Sequence, residues 1–407
     1  MLRVFFSIAN RAVIISDTFM FRVIAKDKKS KARVGELTTP HGIVHTPAYV
    51  IVGTHAKVRA VRSEDLRRAN TQIVIANTYH LWRTLGDEEL KTYEGLHGAM
   101  GWDGPIMTDS GGFQVFSFGA SREEGVGKVA RALSDKYALD ENAVRITDDG
   151  VWFRDREEEC YLDAEKSIKI QEQLGADIIV AFDECTSPSH DYEYNKEANR
   201  RTHAWAERSL EARTRRDQLI LGVVQGGVFE DLRRESAKAI GAMPFDGFAI
   251  GGAFGSSFGS GKTDTFRELD WVIPYLPEDR HRHLLGIGKI DDLFECVARG
   301  IDMFDCVIPT REARHGSIWM RGERLDITRG RHSDDTNALD PWCACYTCRE
   351  LKTTRGGLHR LFKTKNPEAG RLATIHNIYF FNDLMEKIRI AISDDQFEKL
   401  RRYYLSS

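Results

Sequence analysis

Three cysteines crowd into six residues, Cys343-Ala344-Cys345-Tyr346-Thr347-Cys348. Thiolates at that spacing suit a zinc ion, which closes its tetrahedron with one more ligand. Two histidines lie downstream, His359 and His376. His376 follows the apolar stretch Leu372-Ala373-Thr374-Ile375 and can be held rigidly. His359 sits in a basic, helix-like segment and is expected to be exposed. The expected centre is therefore Cys343, Cys345, Cys348 and His376, with ordinary buried thiols as the competing view. Three sulfurs and one imidazole leave no open position, so one zinc per chain would be structural. The seven cysteines are an odd number in a large chain, which suits a reduced cytoplasmic protein better than a disulfide framework.

A second set of groups is scattered along the chain but obeys one rule. Short apolar runs end in polar or glycine-rich tips: Gly53-Thr54, Asn77-Thr78-Tyr79-His80, Asp109-Ser110-Gly111-Gly112, Asp183-Glu184, Gln225-Gly226-Gly227, Gly251-Gly252, Gly286-Ile287-Gly288 and Asp305-Cys306. Glycines there let a ligand approach the backbone. The segment Gly255–Lys262 is rich in glycine and serine but lacks the spacing of a phosphate-binding loop, and reads as a flexible active-site loop. The His-x-His pair, His281 and His283, is expected to precede the seventh run rather than to sit at a tip. That placement disfavours a zinc hydrolase with its metal at the tips.

The runs that must position these tips are Tyr49–Val52, Ile73–Ala76, Ile106–Thr108, Ile178–Ala181, Leu219–Val224, Gly247–Ile250, His283–Leu285 and Met303–Asp305. Most are apolar and do not alternate, as expected of parallel strands buried on both faces. Helices are predicted between many of them: Asp163–Leu174 with Gly175 past its end, Asn195–Arg216, Glu230–Ile240 ending at Gly241, and Asp291–Arg299 ending at Gly300. Eight alternations predict a (β/α)8 TIM barrel, whose tips all meet at the C-terminal face. A doubly wound open sheet is the alternative. A chain of 407 residues is long enough for one such barrel, here residues 19–407, after an N-terminal tail over 1–18. The extra length is expected in an insertion over 121–149 and a zinc-binding region over 311–376. With 42% hydrophobic and 29% charged residues, disorder and coiled coil are excluded as the main architecture. No apolar run approaches the ~20 residues of a membrane span.

The net charge of −3 conceals a segregation. From Arg349 to Arg371 seven basic residues face two acidic ones, whereas residues 1–310 carry a net −8. A basic segment beside a zinc site is a candidate footprint for a phosphate backbone, although a charge run is commonly just a solvated face.

Taken together, the motifs closely resemble the tRNA-guanine transglycosylase family. They are Thr39-Pro40-His41-Gly42 with Thr46-Pro47, Asn77 to Leu81, Thr108 to Ser117, Phe182-Asp183-Glu184-Cys185, Val224 to Gly227, Ile250-Gly251-Gly252, Gly286-Ile287-Gly288, Met303 to Arg311, the cysteine cluster and Thr374 to Asn377. The resemblance implies a (β/α)8 barrel with a zinc-binding insertion. It also implies exchange of guanine for a 7-substituted 7-deazaguanine at the wobble position of tRNA with a G-U-N anticodon. By matching motif, Asp305 is the nucleophile on C1′ and Asp109 the general acid and base. Asp183 would take the donors of guanine, Gln225 and the Gly252 N–H its acceptor, Ser110 its edge, and Phe113 its face. Arg311 and Arg314 would hold the flanking uridines. A homodimer is implied as well.

Three departures bear on the expectation. Gly255 stands where bacterial enzymes of the family that take the small aminomethyl base carry valine. A wider pocket and queuine, ahead of the aminomethyl precursor, are therefore expected. The 121–149 insertion is longer than usual. Cys348 to His376 spans two residues more than the common spacing. The rival reading is a non-catalytic tRNA-binding partner subunit, which would have lost catalytic residues; Asp109 and Asp305 are both present.

Overall fold

A computed structural model describes residues 21–116, 144–155, 158–187, 189–252 and 262–405. Eight parallel strands close into a barrel: β1 (Ala48–Val52), β2 (Val74–Ala76), β3 (Ile106–Thr108), β4 (Ile178–Val180), β5 (Leu219–Val224), β6 (Gly247–Ile250), β7 (His281–Leu284) and β8 (Met303–Cys306). Each matches a predicted run. Closure rules out the open sheet: β8 pairs with β1, setting Met303 opposite Ala48 and Asp305 opposite Val50. One prediction is corrected here, since His281 and His283 lie within β7 and not before it.

The strands carry two cores, because successive side chains point to opposite faces. Ala48 and Val50 of β1, Met107 of β3, Leu219, Leu221 and Val223 of β5 and Met303 of β8 fill the lumen. Tyr49, Ile51, Ile220, Val224 and Phe304 face the surrounding helices. With both faces buried, the runs had no reason to alternate in polarity.

The helices include α1 (Thr78–Leu90), α2 (Ala164–Leu174), α3 (Tyr192–Ala212), α4 (Glu230–Gly241), α5 (Ile290–Ala298), α6 (Ile308–Arg314) and α7 (Pro367–Ser393). For α2 the expected signals act as expected. The Asp163 side chain caps it by accepting from the Lys166 N–H, and Gly175 ends it at φ +73°. Helix α3 starts earlier than predicted because Asp191 caps it, accepting from the Tyr194 N–H. It also ends earlier, at Ala212. Gly241 is the last residue of α4 rather than the stop after it.

Two three-stranded antiparallel sheets and one two-stranded ribbon were not expected. The first, over Phe21–Lys26, Arg33–Thr39 and Gly42–Thr46, plugs the N-terminal end of the barrel, with Phe21, Leu37 and Val44 joining the lumen core. The second runs over Val144–Ile146, Val151–Asp155 and Glu158–Leu162. Its first strand falls in the predicted 121–149 insertion; residues 121–143 lie outside the described residues, as does the predicted tail over 1–18. Beyond β8, a ribbon (Ser317–Met320 with Glu323–Asp326) and the long helix α7 enclose a third core of Ala313, Ile318, Leu325, Ile327, Leu358 and Leu372. That core carries the cysteine cluster. No described helix is long and apolar enough to cross a membrane.

Candidate active site and metal centre

The lumen alternation sets the site. Continuing each inward series two residues beyond its last apolar member gives Asp109 after Met107, Gln225 after Val223 and Asp305 after Met303. The polar layer is thus the top layer of the barrel, at the face where β–α loops gather.

Asp109 is held by three donors. The Thr78 N–H reaches Oδ1 at 2.9 Å and the Gly111 N–H reaches the same oxygen at 3.2 Å. The Asn77 amide donates to Oδ2. Burial pushes this carboxyl up, the hydrogen bonds from Thr78, Gly111 and Asn77 pull it down, and the nearby Asp305 pushes it up again; the balance is about 7. A carboxyl with that value exchanges a proton readily in either direction at neutral pH.

Asp183 is buried and bound from two sides. Ser110 Oγ donates to Oδ1 at 3.1 Å and Gln225 Nε2 to Oδ2 at 2.7 Å. Burial raises its carboxyl to about 6, against the hydrogen bonds from Gln225 and Ser110. Gln225 Oε1 is buried without a partner among the described residues. A buried acceptor left open beside a carboxylate is a place for a ligand's N–H groups. Gly251 keeps this arrangement possible, because a Cβ there would lie 2.3 Å from Gln225 Nε2. Phe113 leaves half its ring exposed at the mouth. Gly252 follows β6 with φ +139°. Gly255, and the predicted loop from Gly255 as far as residue 261, lie outside the described residues.

Asp305 has a partner that the sequence reading missed. His283 Nε2 lies 2.9 Å from its Oδ1, and the Gly286 N–H approaches the same oxygen at 3.3 Å. The His283 ring is fully buried. The available signal was position: His283 precedes the Gly286-Ile287-Gly288 tip and lies in the strand beside β8.

Arg311 and Arg314 lie on α6, directly after the Asp305 strand. Arg314 is half-buried, and its guanidinium is driven below its ordinary value by burial and by the like charges of Arg59 and Arg311. Farther along, Arg349, Lys352, Arg360, Lys363 and Lys365 are exposed, whereas Arg371 is engaged by Asp65 at 2.6 Å.

The four expected ligands do come together. The three Sγ atoms and a His376 ring nitrogen lie within 4.8 Å of one another. His376 Nδ1 stands 3.6 Å from Cys345 Sγ and 3.3 Å from Cys348 Sγ. Its Nε2 is 2.8 Å from the Trp319 carbonyl, so Nε2 carries the proton and Nδ1 turns its lone pair to the sulfurs. The set fits a metal ion. His359 is elsewhere and, contrary to expectation, buried: its Nδ1 meets the Ile327 carbonyl at 2.9 Å.

A closed (β/α)8 barrel with buried and half-buried carboxylates in its top layer and a separate Cys3His group that could hold a metal ion defines the class: a barrel enzyme with a candidate metal site. Comparison with known proteins narrows the class. The family model for queuine tRNA-ribosyltransferase matches residues 27–407. The queuine tRNA-ribosyltransferase of Roseiflexus sp. is 40% identical over 411 residues, covering 95% of this chain and 99% of that protein. That of Desulforudis audaxviator is 40% identical, with 95% and 98% covered, and that of Enterococcus faecalis 42% identical, with 94% of each covered. The chain belongs to the queuine tRNA-ribosyltransferase family.

Proposed function

We propose that the chain exchanges guanine at the wobble position of G-U-N tRNAs for a 7-substituted 7-deazaguanine by two displacements at C1′. Asp305 attacks C1′ from the face opposite the base. As the C1′–N9 bond breaks, its electron pair passes to guanine, which takes a proton from Asp109. Guanine leaves, and the incoming base gives its proton back to Asp109 as its nitrogen attacks C1′ and expels the Asp305 carboxylate. Two inversions retain configuration, and no phosphodiester bond is touched. The observation that carries this reading is Asp109, half-buried, clamped by the Asn77 amide and the Thr78 and Gly111 N–H groups, and poised at about 7 with Asp305 nearby. A non-catalytic partner subunit would have no use for such a group.

Asp183, with Ser110 and Gln225 fixed on it, suits the N1 and N2 donors of guanine; the Gly252 N–H suits O6. Phe113 offers a stacking face, and Arg311 with Arg314 a hold on the flanking uridines. Zinc is the metal that three thiolates and an imidazole favour, and when bound it supplies structure only. A homodimer working on tRNA in the cytoplasm completes the reading, with the barrel and the 311–376 region acting as one unit.

Incubation with unmodified tRNA and radiolabelled guanine tests it. The parent protein should incorporate label and Asp305→Ala should not; a parent that never exchanges guanine would overturn the reading. Offered both bases, the protein should prefer queuine, and Gly255→Val should shift preference toward the aminomethyl precursor.

A further inference from the structure

The Asp305 carboxylate is held asymmetrically. Both of its hydrogen bonds, from His283 and Gly286, fall on Oδ1. Among the described residues no donor reaches Oδ2. The His283 ring is fully buried, and its other nitrogen, Nδ1, is buried with no partner among the described residues. Oδ1 can only accept, so the Nε2–H of the ring points at the carboxylate. His281, two residues back on the same face of β7, packs over Gly247 and is aligned with the lumen, below the reacting layer.

We infer that His283 is a positioning residue that locks the carboxylate rotation of Asp305 and selects Oδ2 as the attacking atom. The inference rests on the reading of Asp305 as nucleophile. In the first displacement the Oδ2–C1′ bond forms as C1′–N9 breaks, and Oδ1 becomes the carbonyl oxygen of the glycosyl ester. In the second, the Oδ2–C1′ electron pair returns to the carboxylate, and the charge that reappears is shared with Oδ1, where the His283 and Gly286 N–H groups receive it. His283 gives up no proton in either step. In the first displacement the two N–H groups serve by orienting Oδ2 toward C1′, and in the second they also stabilise the charge that returns to the carboxylate, so His283 acts on rate rather than on tRNA affinity.

The test uses the full chain and four variants: His283→Phe, His283→Asn, His283→Gln and Asp305→Asn. Glutamine places its amide N–H near the position of imidazole Nε2, while asparagine has the same chemistry and falls short. Guanine exchange gives kcat and KM for tRNA, and a denaturing gel gives the rate of the covalent tRNA adduct. Phe and Asn should lower kcat and adduct formation by about 10²-fold, as misplacement of a reacting group by about an ångström does. KM should stay within about twofold, and Gln should recover at least about tenfold of the loss. Equal activity of all three His283 variants, at either the parent level or a uniformly low one, would overturn the inference while leaving Asp305 in place. An Asp305→Asn variant as active as the parent would instead overturn the nucleophile reading itself. If the phenylalanine variant does not fold, the Asn and Gln pair makes the same comparison.

Discussion

Asn77 and Asp109 are joined across neighbouring barrel strands: the Asn77 amide donates to Asp109 Oδ2, and the next residue's N–H donates to Oδ1 at 2.9 Å. The residues that open α1 therefore also clamp the candidate acid. Asn77 does double duty, since its own Oδ1 caps the helix by accepting from the His80 N–H at 2.9 Å.

A pH prediction follows from the sign of that bond. The first displacement needs protonated Asp109, so single-turnover adduct formation should fall as pH rises through about 7. The Asn77 bond favours the carboxylate and lowers the value. Removing it in Asn77→Ala should move the descending limb to higher pH by about one unit, since one unit corresponds to ~1.4 kcal/mol and a hydrogen bond to a charged group is worth about that. Adduct formation in rapid-quench experiments between pH 5.5 and 9 measures the limb. A limb that moves to lower pH would contradict the assignment.

Metal content separates the two histidines. His376→Ala should abolish binding of one zinc per chain and lower the melting temperature, because the third core is built around the cluster. His359→Ala should keep its zinc and lose only the bond to the Ile327 carbonyl, costing about 1–3 kcal/mol for the acceptor left buried. Elemental analysis with thermal unfolding of both variants checks this.

At the opposite end of the barrel, Arg33 forks onto Asp302, Nε to Oδ1 at 2.9 Å and Nη2 to Oδ2 at 2.6 Å, with both side chains buried. Asp302 also accepts from the Arg282 N–H at 2.7 Å. Arg33→Ala strands the carboxylate and should destabilise the fold by about 3–5 kcal/mol. Arg33→Met with Asp302→Asn should lose less, because the uncompensated charge is gone. Urea midpoints give the comparison, and guanine exchange by the folded fraction should be unchanged in both.

What the sequence concealed has a common physical cause. The eight barrel strands were legible because each is short, apolar and buried on both faces, and Asp109, Gln225 and Asp305 because they end such runs. The plug was not legible. Its strands carry Arg33, Glu36 and His45, and what holds them is cross-strand pairing and a distant partner such as Asp302, neither of which leaves a local signal. The sheet over 144–162 failed likewise, with Glu158 and Glu159 opposite Asp155 and Arg154. His283 was read as lying at or before the start of the seventh strand and away from the site, although the alternation that exposes Asp305 to the lumen also aims His283 at it. His376 lies beside the cysteines as expected because α7 is apolar around it; His359 was misjudged because basic neighbours masked a buried face.

The arginines beside the mouth give a last prediction, in which stability and affinity move in opposite directions. Burial and the like charges of Arg59 and Arg311 hold the Arg314 guanidinium below its ordinary value, and among the described residues no carboxylate forms an ion pair with any of the three. Like charges held together without a counter-ion cost the free protein something and gain it back when a phosphate backbone arrives. Arg59→Ala should therefore leave the melting temperature unchanged or slightly higher, while tRNA affinity falls. Because each phosphate contact releases counter-ions, the slope of log affinity against log salt should shallow by about 0.7–0.9 for each arginine removed. Filter binding of unmodified tRNA between 50 and 300 mM salt, for Arg59→Ala, Arg311→Ala and Arg314→Ala, reads the slope directly. A loss of affinity with an unchanged slope would mean that the arginine shapes the fold rather than meeting phosphate.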